Sequence, residues 1–345
     1  MGYKVNNVSV LDSSDTQGDF RADFNTIIVK KIQRPGNSTT KLNYKYQGEN
    51  YGYSSGGSPF LTPYFNNSMG TISRFSLASD GDGTDHGDLS QSRYGGAGVN
   101  SSTNAYIAGG LSGPWGSPAL TKIEKFPFAA GAGLTATDTT AELSPVGRVQ
   151  YDMGSHNNHS YGYFTGGGYG TANEIIKYVF ATDASDCSDI GDLTLGRSGV
   201  AGSSSDTHGY ASGGYPYYSG RTIDKFPFSA DGDASGVGDL TYYVYYAAGG
   251  SSSTHGYSAG GGFYYNYIQK YPFATDNSAS DIADLNLASN GFSSHSSTTH
   301  GYACGGRPDS GGGDYIQKYS FVSDQNGTDI GDLDRARRYP IGNHY

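Results

Sequence analysis

The sequence has few of the residues that build disulfide frameworks, metal clusters or membrane spans. Its only two cysteines, Cys187 and Cys304, lie far apart in 345 residues and lack metal-ligand spacing, so we expect two free thiols. No apolar segment reaches the roughly 18 residues of a transmembrane helix, and no signal-peptide-like apolar core follows Met1. We therefore expect neither a membrane partner nor Sec-type export.

Positive charge is also scarce. The chain carries 22 Lys and Arg against 32 Asp and Glu, which gives a formal net charge of −10. Because phosphate binding needs a dense positive surface, this balance argues against a nucleic-acid partner. One basic cluster, in residues 30–45, has no motif spacing, and we interpret it as a solvated surface.

Glycine and tyrosine are abundant instead, with 54 Gly and 31 Tyr. A glycine-rich chain with only 35% hydrophobic residues suggests disorder, yet aromatic side chains bury the large areas that disordered chains lack. An all-β body with many turns accommodates both features.

A Gly-Gly pair ends a short alternating run at six places in the chain. The pairs are Gly56-Gly57, Gly109-Gly110, Gly166-Gly167, Gly213-Gly214, Gly260-Gly261 and Gly305-Gly306. Successive pairs are about 45 to 57 residues apart, a spacing typical of propeller blades. The repeat predicts an all-β fold, a β-propeller of six four-stranded blades, over residues 36–345, with residues 1–35 as a separate N-terminal segment.

The rest of the unit also recurs in order. After each pair come an isoleucine, one residue and a base: Ile72/Arg74, Ile123/Lys125, Ile175/Lys177, Ile223/Lys225, Ile268/Lys270 and Ile316/Lys318. A leucine after an acidic residue closes each unit: Leu89, Leu143, Leu193, Leu240, Leu285 and Leu333. We interpret the base as paired with an Asp of its own or the adjacent blade, and a charge ring around a channel is the alternative.

Four runs in each unit are typical of strands. In the third and fourth units they include the stretch before the Gly-Gly pair, residues 222–228, residues 191–197 and residues 200–205. The Gly-Gly pair allows a turn with positive φ. Four short strands, a Gly-Gly after the second and an arginine after the fourth resemble the kelch repeat. The arginine is present at Arg93, Arg148, Arg197 and Arg337 and replaced by Val244 and Ser289.

The resemblance to kelch repeats covers residues 36–345 and implies a β-propeller. The tryptophan that kelch repeats carry near the last strand is missing, and leucine with an acidic neighbour takes its place. Two segments compete for the strand that closes the ring, residues 41–47 and residues 337–345. A seventh blade that uses the surplus strand is the alternative to six.

The opening segment carries a second resemblance. Residues 3–27, YKVNNVSVLDSSDTQGDFRADFNTI, are similar to the short N-terminal segment of many phage tail-fibre and virion appendage proteins, with Asn7 in place of the usual glycine. The resemblance implies that residues 1–35 attach the protein to other virion proteins.

The stretch between the Gly-Gly pair and the isoleucine varies in length, whereas the rest of the unit varies little. Insertions are tolerated in loops, and equivalent loops of a propeller lie on one face. These loops are rich in aromatic and polar residues, which suit a glycan or a protein partner. We predict that the ligand contacts are Trp115, Tyr169, Tyr217, Tyr218, Tyr264, Tyr265 and Arg307. The alternative is that these aromatics only pack against neighbouring loops.

Other residues that bear chemistry have structural interpretations. His208, His255 and His300 occupy equivalent places, but ring members in different blades are too far apart to share an ion, so we expect hydrogen bonding instead. The run Asp80–Asp85 begins like a calcium loop, yet Gln91 stands where an EF-hand needs a bidentate Glu, so we expect Asx-turns. We predict no cofactor, with Ca²⁺ at the first repeat as the alternative.

No enzyme motif can be assembled from the sequence. It lacks a Gly-x-Ser-x-Gly elbow with a placed His, a P-loop and a His-Glu-x-x-His helix. We therefore predict a non-enzymatic virion appendage protein of a phage, docked through residues 1–35 and presenting its loop face to a host-surface glycan or protein. A cytoplasmic kelch-like interaction module is the second interpretation, and a carbohydrate-active enzyme is the third. Self-association is left open.

Overall fold

The computed structural model describes the chain in two units, Met1–Leu42 and Asn43–Tyr345. The described residues are 47–59, 68–114, 117–143, 151–168, 172–308 and 313–344, together with four short strands nearer the N-terminus. In the first unit, Lys4–Val5 pairs with Val8–Ser9 and Ile32–Gln33 pairs with Thr39–Thr40, both antiparallel. The rest of the predicted attachment segment, residues 1–35, lies outside the described residues.

The second unit is a six-bladed β-propeller, which confirms the predicted fold. Each blade is an antiparallel sheet whose strands run in order from the inner strand to the outer strand. Blade 2 contains Ala97–Asn100, Asn104–Ala108, Lys122–Pro127 and Thr137–Glu142. Blade 3 contains Gly154–Asn157, Tyr161–Thr165, Glu174–Val179 and Ser188–Asp192. Blade 4 contains Ala201–Ser204, His208–Ser212, Thr222–Pro227 and Ser235–Asp239.

Blades 5, 6 and 1 follow the same plan. Blade 5 contains Ala248–Ser251, His255–Gly261, Tyr265–Pro272 and Ser280–Asp284. Blade 6 contains Ser293–Ser296, His300–Cys304, Tyr315–Ser320 and Thr328–Asp332. Blade 1 contains Ile341–His344, Tyr51–Ser55, Thr71–Ser76 and Thr84–Asp88. Each inner strand contacts the inner strands of the two neighbouring blades, so the six inner strands form a closed ring around the axis.

The C-terminal segment closes the ring. Ile341–His344 pairs antiparallel with Tyr51–Ser55, with Ile341 opposite Ser55 and His344 opposite Gly52. This pairing decides between the two competing segments and leaves six blades rather than seven. Of the rival segment, residues 41–47, only Gln47 is among the described residues.

Several short strands and helical turns lie outside the six four-stranded blades. Ser58–Pro59 pairs with Arg337–Arg338, Ser289–Asn290 pairs with Arg307–Pro308, and Leu134–Thr135 adds to Thr84–Asp88 in parallel. The described helices are two 3₁₀ turns, Phe180–Thr182 and Tyr217–Ser219. Within the described part of the chain, no helix has the length and apolar character needed to cross a membrane.

Every Gly-Gly pair turns with positive φ, as predicted. Gly213 has φ 67° and Gly214 has φ 115°, and the other five pairs have similar values. The turn lets the N–H of Gly214 donate to the carbonyl of Val244 at 2.8 Å, in the linker to blade 5. The pair therefore ties the second strand of a blade to the linker that leaves it.

The repeated apolar residues form the core between neighbouring sheets. All six isoleucines and all six closing leucines are buried. The leucine side chains account for one difference from the predicted strands. The outer strand of blade 3 ends at Asp192, and residues 193–197, predicted as strand, form a linker in which Leu193 enters the core. Residues 201–204 are a strand as predicted, and they form the inner strand of the next blade.

Five of the six repeated bases, the lysines, bridge neighbouring blades, which confirms the pairing interpretation for them, whereas Arg74 lies over the Tyr51 ring of its own blade. Lys177 lies 2.5 Å from Asp231 of the next blade, and Lys125, Lys225, Lys270 and Lys318 make equivalent pairs. Partly exposed pairs of this kind each stabilise a fold by about 0 to 1 kcal/mol. Cys187 and Cys304 are both free, as expected, and both are buried.

Candidate ligand-binding face

Two sets of connections lie on the same face of the propeller, called here the loop face. They are the loops from the second to the third strand and the linkers from each outer strand to the next inner strand. They share a face because successive strands are antiparallel, so alternate connections fall on the same side. The remaining turns lie on the opposite face.

The structure places five of the seven predicted contact residues. Tyr217 and Tyr218 are 74% exposed, in the loop of blade 4. Tyr264 and Tyr265 are half-buried in blade 5, and the Arg307 guanidinium of blade 6 lies 5.8 Å from the Tyr264 ring centroid. Trp115 and Tyr169 lie outside the described residues.

Of these tyrosines, Tyr217, Tyr218 and Tyr265 belong to a larger group that we call the aromatic surface: Tyr215, Tyr217, Tyr218, Tyr242, Tyr243, Tyr245, Phe263, Tyr265 and Tyr267. Ring centroids are 4.6 Å apart for Tyr217 and Tyr243 and 5.8 Å apart for Tyr245 and Phe263. The Tyr243 and Tyr245 rings lie 5.5 Å apart and join these two pairs. The aromatic surface therefore runs continuously from blade 4 to blade 5.

The linker between blades 4 and 5 supplies the centre of the aromatic surface, and the sequence interpretation missed it. Residues 241–246 read TYYVYY, the densest run of tyrosine in the chain. That density was an available signal. It was overlooked because linkers keep a nearly constant length, and variable length was the criterion used to select loops.

Close packing fixes the rings. Gly220 lies against the Tyr243 ring so closely that a Cβ there would overlap it. A Cβ on Gly262 would lie 2.7 Å from the Tyr265 ring. Burial raises the pKa of Tyr243 to about 12, so its hydroxyl is neutral near pH 7. Held rings lose little entropy on binding, and exposed Phe263 and Tyr215 supply apolar contact area.

A second feature of the loop face lies on the propeller axis. Six linker residues, one between each pair of blades, join in a closed ring of backbone hydrogen bonds that we call the axial ring: Gly95, Asp152, Gly199, Tyr246, Gly291 and Tyr339. Each N–H donates to the carbonyl of the preceding member, over 2.6 to 2.9 Å. All six have φ between 52° and 69°, in the left-handed region.

Glycine alternates with larger residues around the axial ring. A Cβ on Gly95 would lie 2.7 Å from Asp152 Oδ1, one on Gly199 would lie 2.6 Å from the Tyr246 ring, and one on Gly291 would lie 2.7 Å from the Tyr339 ring. Each larger side chain therefore covers the glycine before it. The axis has room for three side chains, and these three hold the left-handed conformation despite its steric cost.

Asp152 and Tyr246 interact directly on the axis. The Tyr246 hydroxyl donates to Asp152 Oδ2 at 2.9 Å, and the Tyr246 and Tyr339 ring centroids lie 5.1 Å apart. Burial raises the pKa of Asp152 to about 7, and the hydrogen bond from Tyr246 opposes this. Burial, followed by the Asp152 charge, raises the pKa of Tyr246.

The equivalent histidines lie on the opposite face and make local hydrogen bonds. In each case Nδ1 contacts the preceding threonine hydroxyl at 2.8 Å: Thr207 for His208, Thr254 for His255 and Thr299 for His300. The Asp80 carboxylate accepts from Lys318, and Asp82 Oδ1 accepts from the Asp332 N–H. Among the described residues no cluster of three or more metal-ligating side chains occurs. The absence of a cofactor stays a prediction, with Ca²⁺ at the first repeat as its alternative.

The chain enters the propeller on the opposite face. Gln47 Nε2 donates to the carbonyl of Ser251 at 2.7 Å, and the Gly48 N–H donates to the carbonyl of Ser296 at 2.7 Å. Ser251 and Ser296 end the inner strands of blades 5 and 6. The entry point is therefore at the end of the inner strands that lies away from the axial ring.

No known protein-family model matches this sequence, and a search of curated proteins finds no match either. The two surface features described above therefore carry the functional interpretation.

Proposed function

We propose that the protein is a non-enzymatic appendage protein of a phage virion, which binds a host-surface glycan or protein through the aromatic surface of its loop face. The observation that carries this proposal is the continuous aromatic surface of blades 4 and 5. Its rings are packed in place, yet Tyr217, Tyr218 and Phe263 remain well exposed.

A rigid ring offers large contact area at low entropic cost, and its hydroxyl adds a hydrogen bond. Contiguous exposed apolar surface on a soluble protein is typical of interaction sites. The tyrosine that recurs in the second strand of each blade, such as Tyr53 or Tyr257, is instead buried between blades. The exposed group on the loop face thus differs from the structural tyrosines that recur in every blade.

Two further observations support a virion role. The N-terminal segment resembles those of phage appendage proteins. Gln47 and Gly48, the first described residues of the propeller unit, contact Ser251 and Ser296 on the face opposite the aromatic surface. These residues therefore leave the aromatic surface free for a ligand.

Virion attachment is tested by deleting residues 1–35 in the phage that encodes the protein. We expect particles that lack the protein, while the truncated chain keeps its near-ultraviolet circular dichroism. Truncated protein that still enters particles would overturn the docking part of the proposal. It would then favour a cellular interaction module that uses the same aromatic surface.

Ligand binding is tested by applying the labelled full-length protein to host cells and to an array of host-surface glycans. We expect saturable binding to cells, and loss of most of it on replacing Tyr217 and Tyr218 together with alanine. The matched control is Val322→Ser, which removes an 84% exposed apolar side chain from the opposite face. Equal binding by both variants would exclude the aromatic surface as the ligand site.

A further inference from the structure

The cavity enclosed by the axial ring contains one charged group. It has a volume of about 80 Å³ and is lined by the axial ring and the first residues of the inner strands. Asp152 is the only acid among the described residues that line it, and none of them is a lysine, arginine or histidine. The carboxylate thus faces the cavity without a cationic partner.

The surroundings of Asp152 favour a cation. Oδ2 accepts from the Tyr246 hydroxyl, and the Tyr246 and Tyr339 rings stand at 76° to each other beside it. A desolvated carboxylate gains most from an opposite charge nearby, and the faces of tyrosine rings attract cations. An anion would be repelled by the carboxylate, and a neutral apolar group would leave it unpaired.

The cavity sets the size of the ligand. Small residues line its wall below the axial ring, including Gly98, Ser155, Gly202 and Ser294. A volume of 80 Å³ is the share of about two to three water molecules in the liquid. Asp152, Tyr246 and Tyr339 are all partly exposed.

We propose that the axial cavity binds a small primary ammonium group, held by the carboxylate of Asp152 and the rings of Tyr246 and Tyr339. The ammonium donates hydrogen bonds to the carboxylate and lies against the two rings. This site is separate from the aromatic surface and does not depend on the function proposed for it.

Binding requires the ionised carboxylate and therefore depends on pH. The pKa of Asp152, raised by burial to about 7, places the change near neutrality. The groups that act electrostatically on its two ring partners include Tyr151 beside Tyr246, and Arg307, Arg338, Tyr245 and Tyr264 beside Tyr339. Of these, only the two arginines are charged near pH 7.

The test is a nuclear magnetic resonance titration of the full-length protein with ethylammonium chloride at constant ionic strength, with ethanol as the neutral control. We expect saturable shifts at about pH 8.5 and binding about tenfold weaker at about pH 5.5, because protonation removes the charge that the ligand needs. Ethanol is expected to cause no saturable shift.

Two substitutions distinguish the role of the Asp152 carboxylate in ligand binding from any role in folding. Asp152→Asn keeps an acceptor for Tyr246 and a residue that tolerates the left-handed conformation, so we expect a folded protein with binding weakened by about tenfold or more. Tyr246→Phe keeps the ring but removes the donated hydrogen bond, which raises the pKa of Asp152 further and moves binding to higher pH. Absence of saturable binding by the unmodified protein at about pH 8.5, or equal binding by Asp152→Asn, would overturn the proposal.

Discussion

Buried arginines show how one residue joins two blades. The Arg197 carbonyl accepts from Gly167 of blade 3, while its guanidinium donates to the Ala211 carbonyl and to Asp224 of blade 4, at 3.0 and 2.9 Å. Arg93 and Arg337 are buried equally and bridge their own blade pairs. Where Val244 replaces the arginine, the acid is replaced as well, because Gln269 stands at the position of Asp224. In blade 5 the charge and its partner are thus both replaced.

This pairing predicts the cost of breaking it. Arg197→Met would leave the buried Asp224 carboxylate without its cationic partner, and we expect a loss of about 3 to 5 kcal/mol in the free energy of unfolding. The double variant Arg197→Val with Asp224→Gln copies the pair of blade 5 and should recover much of that loss. Urea denaturation of the three proteins measures both effects. A double variant no more stable than the single one would show that the pair is not the cause.

Two buried histidines make stability depend on pH. His156 contacts the Ser203 carbonyl and Thr165 Oγ1, both at 3.0 Å, and His295 contacts the Asn343 carbonyl at 2.9 Å. Burial lowers the pKa of His156 to about 4 and that of His295 to about 3. The unfolded chain binds these protons first, so the stability is present above pH 6.5 and is lost as pH falls toward the folded pKa values.

We expect each histidine to remove about 1.4 kcal/mol of stability per pH unit between about pH 6.5 and about pH 4. Asp152, with its raised pKa, opposes one of them over the same range, because the folded protein then holds its proton more tightly. Asp152→Asn should therefore steepen the acid loss by about 1.4 kcal/mol per pH unit. Denaturation curves across this range measure the slope, and an unchanged slope would contradict the raised pKa of Asp152.

The inner strands show how elements meet at the axis. Glycine or serine occupies the second position of every inner strand, at Gly98, Ser155, Gly202, Gly249, Ser294 and Gly342. A Cβ on Gly249 would overlap the carbonyl oxygen of Gly202 in the neighbouring blade. Two residues further along these strands, the N–H of Ser204 donates to Ser251 Oγ at 2.9 Å, and the N–H of Ser251 donates to Ser296 Oγ at 3.0 Å. Small residues therefore let the inner strands approach closely enough to form hydrogen bonds between neighbouring blades.

Gly249→Ala tests this crowding. We expect a loss of about 1 to 3 kcal/mol in the free energy of unfolding, because the methyl group meets backbone that cannot move without parting two blades. Gly236→Ala is the matched control, since it also lies in a strand but its Cβ would meet only Asp224 Oδ1, at 3.8 Å. Thermal denaturation compares the two. Equal effects would mean that lost backbone freedom, and not crowding at the axis, governs both positions.

The two ends of the propeller meet in blade 1. The inner strand of blade 1 comes from the C-terminus, and Asn343 Nδ2 extends the junction by donating to the Val99 carbonyl of blade 2 at 3.0 Å. The Arg337 guanidinium also donates to the carbonyls of Ser54 and Thr71, both at 2.9 Å. The last strand therefore holds two blades together.

Removal of residues 337–345 is expected to abolish the folded propeller. Blade 1 would lose its inner strand, and the ring of inner strands would be interrupted between blades 6 and 2. Near-ultraviolet circular dichroism of the many tyrosines measures the loss, and added peptide of residues 337–345 should restore part of the signal. A truncated protein with native stability would show that another segment, such as residues 41–47, can close the ring.

The repeated framework could be predicted from the sequence because its physical causes are local. Gly-Gly turns, buried Ile and Leu, and the Lys pairs recur in register; the turns and the pairs were predicted, and the sequence shows the Ile and Leu recurring at fixed places in the unit. The axial ring could not be predicted, because Asp152, Tyr246 and Tyr339 are far apart in sequence and meet only at the axis. Only one member of each arginine–acid pair could be predicted from the sequence. Arg197 recurs in the repeat, but its partner Asp224 lies in the next unit, and the two meet only because neighbouring blades pack together.

The most direct measurement of ligand binding by the aromatic surface is the affinity of the full-length protein for host cells across a set of single substitutions on both faces. Changing Tyr217, Tyr218, Tyr243 and Phe263 in turn to alanine should weaken binding, most at Tyr243 because it contacts both Tyr217 and Phe263. Val322→Ser on the opposite face should leave affinity unchanged. Loss of binding confined to the opposite-face variant, with every loop-face variant at full affinity, would contradict the assignment of the aromatic surface as the binding site.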